Sequence, residues 1–285
     1  MSRSVSRLLA PLYLLSAWRL WGEVRQRSMP RHLAVIVDGN PPSRPRSRRP
    51  RPARRRPLKT GRLRGSRKGG CAEGDHAGDA EGLESVLVWS ERAGIPAVSL
   101  FLLSADRLKR CWPADLPRLI SLVRRHVWCL ADLSATSGWQ LRAIGRLELV
   151  PSELRTALVD AAAETPGGGG MLVQLAIGYG GREEIVEALK RWAARNEDPT
   201  APTLSEGLER LDPADVAPYL YTGDAPAPDL VLRASEGADL PGSVLWHCIH
   251  SDLCFLDVFW PEFQETDFLR AVRTFQARLH GGAQS

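Results

Sequence analysis

The stretch HLAVIVDGN, residues 32–40, decides the fold. Its first six residues form a continuous apolar run rich in β-branched side chains, which predicts a strand that is buried on both faces, as in a parallel sheet. Asp38, Gly39 and Asn40 follow directly and predict a turn where this strand ends. Because ligands of open α/β sheets bind at the carboxyl ends of the strands, Asp38 is the first candidate site residue.

Outward from this strand, apolar runs alternate with segments of helical spacing. Further strands are predicted at 97–103, 139–144, 171–177, 229–232 and 258–260, and helices at 79–93, 115–133, 151–163, 182–194 and 268–280. The alternation predicts βαβ units, and hence a single α/β domain with a mostly parallel central sheet flanked by helices. Ser104, Gly178 and Arg233 fall at predicted strand ends, so we expect them to lie on the same edge as Asp38.

The first 30 residues predict an amphipathic helix ahead of the domain at 31–280. Its apolar run at 8–17 is about half of the roughly 20 residues that span a bilayer. We expect the helix to pack on the domain, with peripheral contact to a membrane as the alternative. Five cysteines without paired spacing favour reduced thiols, which fits a cytoplasmic protein.

The segment 41–75 is strongly basic and interrupts the domain. It holds 13 Lys or Arg and two acids, and the remainder of the chain holds 25 basic and 31 acidic residues. One hypothesis is a disordered arm for nucleic acid or an anionic membrane, but no aromatic side chains are interleaved for base stacking, which argues against nucleic acid. The hypothesis that we favour is out-of-frame translation of GC-rich DNA, which sequencing of the locus and peptides from this segment would test.

Several blocks, in order, resemble the cis-prenyltransferase family, which comprises undecaprenyl and short-chain Z-isoprenyl diphosphate synthases. They are HLAVIVDGN at 32–40, HAGDAEGLESVLVWSERAGIPAVSLFLLSADRLKR at 76–110, LAIGYGGREEI at 175–185, LYT at 220–222, PAPDLVLRAS at 226–235 and VLWHCIHSDLCFLDVFWPEF at 244–263. The sequence motifs LFLLS and LYT are most similar to those of short-chain actinobacterial members. The resemblance implies a fold of the cis-prenyltransferase type.

It also implies that isopentenyl diphosphate is joined to an allylic diphosphate with Mg²⁺ as cofactor. By resemblance, Asp38 is the essential aspartate that engages Mg²⁺ and the diphosphates, and Gly39 and Asn40 present the strand-end turn to the allylic diphosphate. Asp252 stands where the family has a metal-binding Glu, and its carboxylate oxygens are competent ligands. A homodimer is implied as well, for which the apolar stretch 244–260 is a candidate interface.

The remaining implied contacts are with substrate. Arg233 and Ser235 match the Arg and Ser that hold isopentenyl diphosphate. Ser104, Asp106 and Arg110 match the block that follows the family's second strand, and we expect them to contact substrate.

The sequence also departs from the family at two diphosphate loops. Pro41 and Pro42 follow the DGN turn, where proline removes backbone N–H donors. Asp239 stands where the family has a second diphosphate-binding Arg, which reverses the sign of an interaction worth several kcal/mol at an effective dielectric of about 20. Two alternatives to an active synthase therefore stay open: a catalytically silent member, as partner subunit or degraded gene product, and altered diphosphate chemistry.

Overall fold

A computed structural model describes residues 15–37, 77–165, 169–195, 204–223, 225–234, 246–256, 258, 260 and 263–281. The predictions for Asp38, Gly39, Asn40 and Ser235, and those for the segment 41–75, fall outside the described residues.

Six strands form one sheet in the order β3-β4-β2-β1-β5-β6. They are β1 His32–Ile36, β2 Ala97–Ser104, β3 Gln140–Ile144, β4 Leu172–Tyr179, β5 Leu230–Ala234 and β6 Asp252–Leu256. All five strand pairings are parallel. The predicted α/β class with a mostly parallel sheet is therefore confirmed.

Helices join the strands. The first, α1, covers residues 15–24 of the described chain. The others are α2 Ala77–Ala93, α3 Ala105–Arg110, α4 Leu116–Ser137, α5 Ser152–Ala163, α6 Gly181–Arg195, α7 Leu204–Glu209, α8 Pro213–Val216 and α9 Glu265–Gly281, with short 3₁₀ helices at Leu147–Leu149 and Ala217–Tyr219. The structure assigns no helix in the described ranges that is long and apolar enough to cross a membrane.

The larger core lies on one face of the sheet. Successive strand residues point to opposite faces, and this face carries Leu33 and Val35 of β1 and Leu100 of β2, all fully buried. Helices α1, α2, α4, α5 and α9 contribute the apolar side chains that pack on them. Burial of this face supplies most of the hydrophobic stabilisation, because the effect scales with the apolar area removed from water.

A smaller core lies on the opposite face, which we call the second face. Ile36, Phe101, Tyr179 and Val231 form its centre, and Cys248 packs against them from the turn at 246–250. Turns therefore cover part of the second face. At the carboxyl ends of the strands, this face borders the segments that follow the strands.

Most predicted elements are confirmed within a few residues, but the last strand is not. The structure places it at Asp252–Leu256, whereas the sequence pattern predicts 258–260. The strand lies beside β5, and Cys254 and Leu256 pack toward the larger core, so its position is set by pairing with a distant segment.

The expectation of reduced thiols holds for Cys111, Cys248 and Cys254, but Cys129 is disulfide-bonded, so it is wrong there.

Candidate active site

The carboxyl ends of β1 and β5 bring Arg233 beside the residues that lead into Asp38. Ile36 pairs with Arg233 in the parallel register. The next residue, Val37, donates its backbone N–H to the carbonyl of Phe101 at 3.1 Å, so β1 stays joined to β2 up to the residue before Asp38. This edge is the expected place for a ligand in a parallel α/β sheet.

Arg233 lies on the second face with its side chain half-buried. Its neighbours across the sheet are Ile36 on one side and Phe255 on the other. The nitrogen Nη1 is buried, so the guanidinium group packs against the protein. A guanidinium group held in this way loses less freedom on binding a diphosphate, whose oxygens match its planar set of donors.

Ser104 ends β2 and begins α3. Its side-chain oxygen accepts a hydrogen bond from the backbone N–H of Arg107 at 3.1 Å, which caps the helix. In the sheet it pairs with Tyr179 at the end of β4. Ser104 therefore lies on the predicted edge, with a structural role of its own.

Asp106 and Arg110 also lie close to this edge, on α3. Both are exposed, and their charged groups approach to 3.5 Å across one turn of the helix. Exposed pairs of this kind contribute little to stability, so Arg110 can exchange Asp106 for an anionic ligand at small cost.

Lys109 ties α3 to α6. Its ammonium nitrogen donates to Glu183 at 2.7 Å, and this hydrogen bond is the main reason that the pKa of Glu183 is lowered. Since α3 follows β2 and α6 follows β4, the contact joins the two helices that begin at this edge of the sheet.

The structure does not bring Asp252 to the same edge. Asp252 begins β6 and pairs with Leu230, the first residue of β5, so it lies at the amino end of the sheet. Its carboxylate accepts a hydrogen bond from Arg278 of α9 at 2.9 Å. The described ranges contain no cluster of three or more His, Cys, Asp or Glu that could hold a metal ion.

Asp252→Asn is expected to lower stability slightly and to leave the Mg²⁺ concentration for half-maximal activity unchanged. The reason is that the carboxylate of Asp252 pairs with a half-exposed arginine far from Arg233, and such pairs are worth about 0–1 kcal/mol. Melting temperature and a Mg²⁺ titration would check this, with Arg278→Gln as the matched variant. The opposite result would be a higher Mg²⁺ requirement for Asp252→Asn but not for Arg278→Gln. It would mean that the carboxylate of Asp252 contacts a metal ion whose other ligands belong to a second copy of the chain.

Sequence reasoning missed one buried polar residue, Glu184 on α6. It has no exposed surface, and its carboxyl group accepts hydrogen bonds from Tyr179 Oη and from the backbone N–H of Tyr221 (2.9 Å), with His247 Nε2 at 3.3 Å. Burial is the first cause that raises the pKa of Tyr179 well above its ordinary value. The sequence pattern that indicates burial of Glu184 is helical spacing, because Glu184 precedes the buried Ala188 by one turn of the helix.

Known proteins match this chain over most of its length. The profile of the Prenyltransf family, described as undecaprenyl diphosphate synthase, matches residues 61–281. An isoprenyl transferase of Thermus thermophilus is 38% identical over 281 residues, which are 96% of this chain and 97% of the relative. A (2Z,6E)-farnesyl diphosphate synthase of Thermobifida fusca is 35% identical, covering 95% and 96%. A short-chain Z-isoprenyl diphosphate synthase of Mycobacterium leprae is 34% identical, covering 95% of each chain.

Solved structures agree on the fold. Lavandulyl diphosphate synthase from Lavandula x intermedia, solved with dimethylallyl diphosphate, superposes with a TM-score of 0.69 at 22% identity, over 90% of this chain and 97% of that one. A probable undecaprenyl diphosphate synthase from Campylobacter jejuni superposes with a TM-score of 0.64 at 21% identity, over 87% and 95%. With a family profile that matches most of the sequence and relatives above 30% identity along nearly its whole length, the chain belongs to the undecaprenyl diphosphate synthase family of prenyltransferases.

Proposed function

We propose that this chain condenses isopentenyl diphosphate with an allylic diphosphate to give a short-chain Z-prenyl diphosphate. The observation that carries the proposal is the register of β1 and β5, which sets Arg233 beside Ile36, two residues before Asp38. A cation and a carboxylate at one strand edge suit two diphosphate substrates. The proposal of a short product draws on the relatives from Thermobifida fusca and Mycobacterium leprae.

The reaction needs negative charge to be stabilised as it forms. The C–O bond of the allylic diphosphate breaks, the diphosphate leaves with the electron pair, and the double bond of isopentenyl diphosphate forms the new C–C bond. Loss of one proton from the adduct restores a double bond in the product. In the proposed site Arg233 and Ser235 hold the isopentenyl diphosphate, and the turn at 38–40 faces the allylic diphosphate, where aligned donors stabilise the leaving group.

Mg²⁺ remains part of the proposal. Asp38 is the proposed protein ligand, together with diphosphate oxygens, since hard cations prefer oxygen donors. Bound Mg²⁺ would neutralise charge on the leaving diphosphate. Asp252 is the second ligand that the resemblance implies, and in the single chain its carboxylate accepts a hydrogen bond from Arg278 at the amino end of the sheet. The Mg²⁺ titration of Asp252→Asn decides whether it belongs to this ligand set.

We also propose that two copies of the chain associate through the side of the sheet that β6 forms. β6 ends the sheet order, and its Phe255 is 42% exposed, while Ile249 in the preceding turn is 78% exposed. Among the described residues no strand pairs with the outer side of β6, and an edge of this kind with apolar side chains is a surface that proteins cover. Ile249→Asp with Phe255→Asp is expected to convert a dimer into monomers in sedimentation velocity, whereas Val159→Asp, on the exposed face of α5, is the control. A wild-type chain that sediments as a monomer at all concentrations would contradict the dimer.

A cytoplasmic location with peripheral membrane contact completes the proposal. Leu15 and Trp18 of α1 are 61% and 76% exposed, on the side of the helix opposite to the residues that pack in the core. Apolar and Trp side chains beside basic residues suit an interface with lipid.

The decisive assay combines purified chain, Mg²⁺, labelled isopentenyl diphosphate and a dimethylallyl, geranyl or farnesyl diphosphate primer. A labelled prenyl diphosphate that depends on the primer, and that is lost in Asp38→Ala, is the expected result. A labelled product absent with every primer would overturn the proposal and favour the silent alternative. A product formed from the allylic diphosphate without isopentenyl diphosphate would indicate altered diphosphate chemistry.

A further inference from the structure

The carboxyl group of Glu184 joins three separate parts of the chain. Tyr179 belongs to the end of β4, Tyr221 to the turn at 220–223, and His247 to the turn at 246–250. Glu184 is fully buried and His247 is 7% exposed, so solvent cannot replace these contacts. A buried carboxyl group is costly to hold without partners, and removal of one partner leaves the others unsatisfied.

The three parts lie on the same face of the sheet as Arg233. Tyr179, Tyr221 and Cys248 all belong to the second core, together with Val231, which precedes Arg233 by two residues and shares its face. The ring of Tyr179 meets the rings of Phe101 and Tyr221 edge-on, with centroids 5.0 Å and 5.9 Å apart. The contacts of Glu184 therefore fix the layer that covers this face.

The same contacts fix the position of the next described stretch after β5, which begins at residue 246. Arg233 stands one residue before the end of that strand, and His247 is near the start of the next described stretch. One end of the connection is held by pairing of β5 with β1, and the other by the contact of His247 with Glu184. Thr222 Oγ1 lies 3.5 Å from the same imidazole nitrogen, so both covering turns meet at His247.

We propose that Glu184 and His247 are positioning residues that hold the covering turns at 220–223 and 246–250 against the second face and thereby set the position of Arg233 toward isopentenyl diphosphate. The inference rests on the proposed function, because it takes Arg233 as a contact of that substrate. It predicts a larger effect on isopentenyl diphosphate than on the allylic diphosphate, since neither residue lies on β1, the strand that leads into Asp38.

The test compares His247→Leu with His247→Gln. Leucine removes the hydrogen bond, whereas the amide of glutamine can donate to Glu184 in place of the imidazole. His247→Leu is expected to raise the KM for isopentenyl diphosphate about tenfold, the size of one lost buried hydrogen bond. The KM for the allylic diphosphate should stay within about twofold of the wild type, and His247→Gln should restore most of the loss. Glu184→Leu should act in the same direction as His247→Leu.

Thr165→Ala is the control for general destabilisation. Thr165 is buried to the same degree as His247, accepts a hydrogen bond from the backbone N–H of Leu141 at 3.1 Å and donates one to the carbonyl of Ala162 at 3.0 Å, so its contacts lie at the amino end of β3 and not at the covering turns. It should lower the melting temperature by an amount comparable to His247→Leu while leaving both KM values unchanged. Equal rises of both KM values in His247→Leu, or a fall in melting temperature with no change in KM, would overturn the inference.

Direct binding separates failure of the inference from failure of the proposed function. Calorimetry with isopentenyl diphosphate gives the dissociation constant without turnover. If the wild type binds but forms no product, the proposed function fails and the same variants still test the inference through binding. If the wild type neither binds nor reacts, both are overturned.

Discussion

Arg233→Ala is expected to lower kcat/KM for isopentenyl diphosphate about 10²- to 10³-fold. The guanidinium group can make two charge-assisted hydrogen bonds to a diphosphate, and their loss costs about 3–4 kcal/mol. The residues that flank Arg233 across the sheet, Ile36 and Phe255, carry no cation that could take its place. Steady-state kinetics with each substrate varied in turn measures the effect, which should fall on isopentenyl diphosphate more than on the primer.

Two further variants show that the loss comes from the guanidinium group. Arg233→Lys keeps the charge but loses the planar pair of donors, so we expect an intermediate loss. Arg124→Ala removes an arginine that pairs with Glu153 at 3.3 Å on the exposed surface of α4 and α5, and it should be neutral. A loss in Arg233→Ala no larger than that in Arg124→Ala would remove Arg233 from the proposed site.

The sheet was predictable where a strand is buried on both faces. β1 and β2 read as continuous apolar runs because helices or turns cover both sides, and the structure confirms their bounds within one residue. β6 was not predictable in the same way. Its residues are mostly half-buried, and its place depends on pairing with β5, which no local pattern records.

The candidate site was predictable only in part for a similar reason. Ser104 and Arg233 lie near the carboxyl ends of parallel strands, and these ends meet at one edge of the sheet in any parallel α/β fold. Asp252 matches a family position in the sequence. In the structure it is the first residue of β6, so it lies at the amino end of the sheet, where Arg278 donates a hydrogen bond to it. Glu184 was missed because a buried carboxyl group is recognisable only when its partners from distant segments are known.

Gly145→Ala is expected to cost about 3–5 kcal/mol in the free energy of unfolding, a large part of the stability of an ordinary domain. Gly145 follows β3 with φ 112°, a conformation that side chains rarely adopt. A Cβ atom there would lie 2.3 Å from the backbone oxygen of Ile177, which belongs to β4 and cannot rotate away. The exits of β3 and β4 must separate to admit it, and Tyr179, which donates to Glu184, lies at that exit. Chemical denaturation of the purified variant measures the loss.

Two other glycines separate the contribution of the contact from that of the backbone. Gly94 has φ 74°, and a Cβ atom added there would meet only open space, so alanine should cost only the backbone strain, about 1–2 kcal/mol. Gly22 lies exposed within α1, at an ordinary φ, and no atom lies within 4 Å of an added Cβ. Because alanine favours the helix more than glycine does, Gly22→Ala should stabilise the chain by up to about 1 kcal/mol. The order Gly22→Ala, wild type, Gly94→Ala, Gly145→Ala follows from these contacts alone. If Gly145→Ala were no less stable than Gly94→Ala, the close approach of β3 to β4 would be absent, and with it the reason for a glycine at this edge of the site.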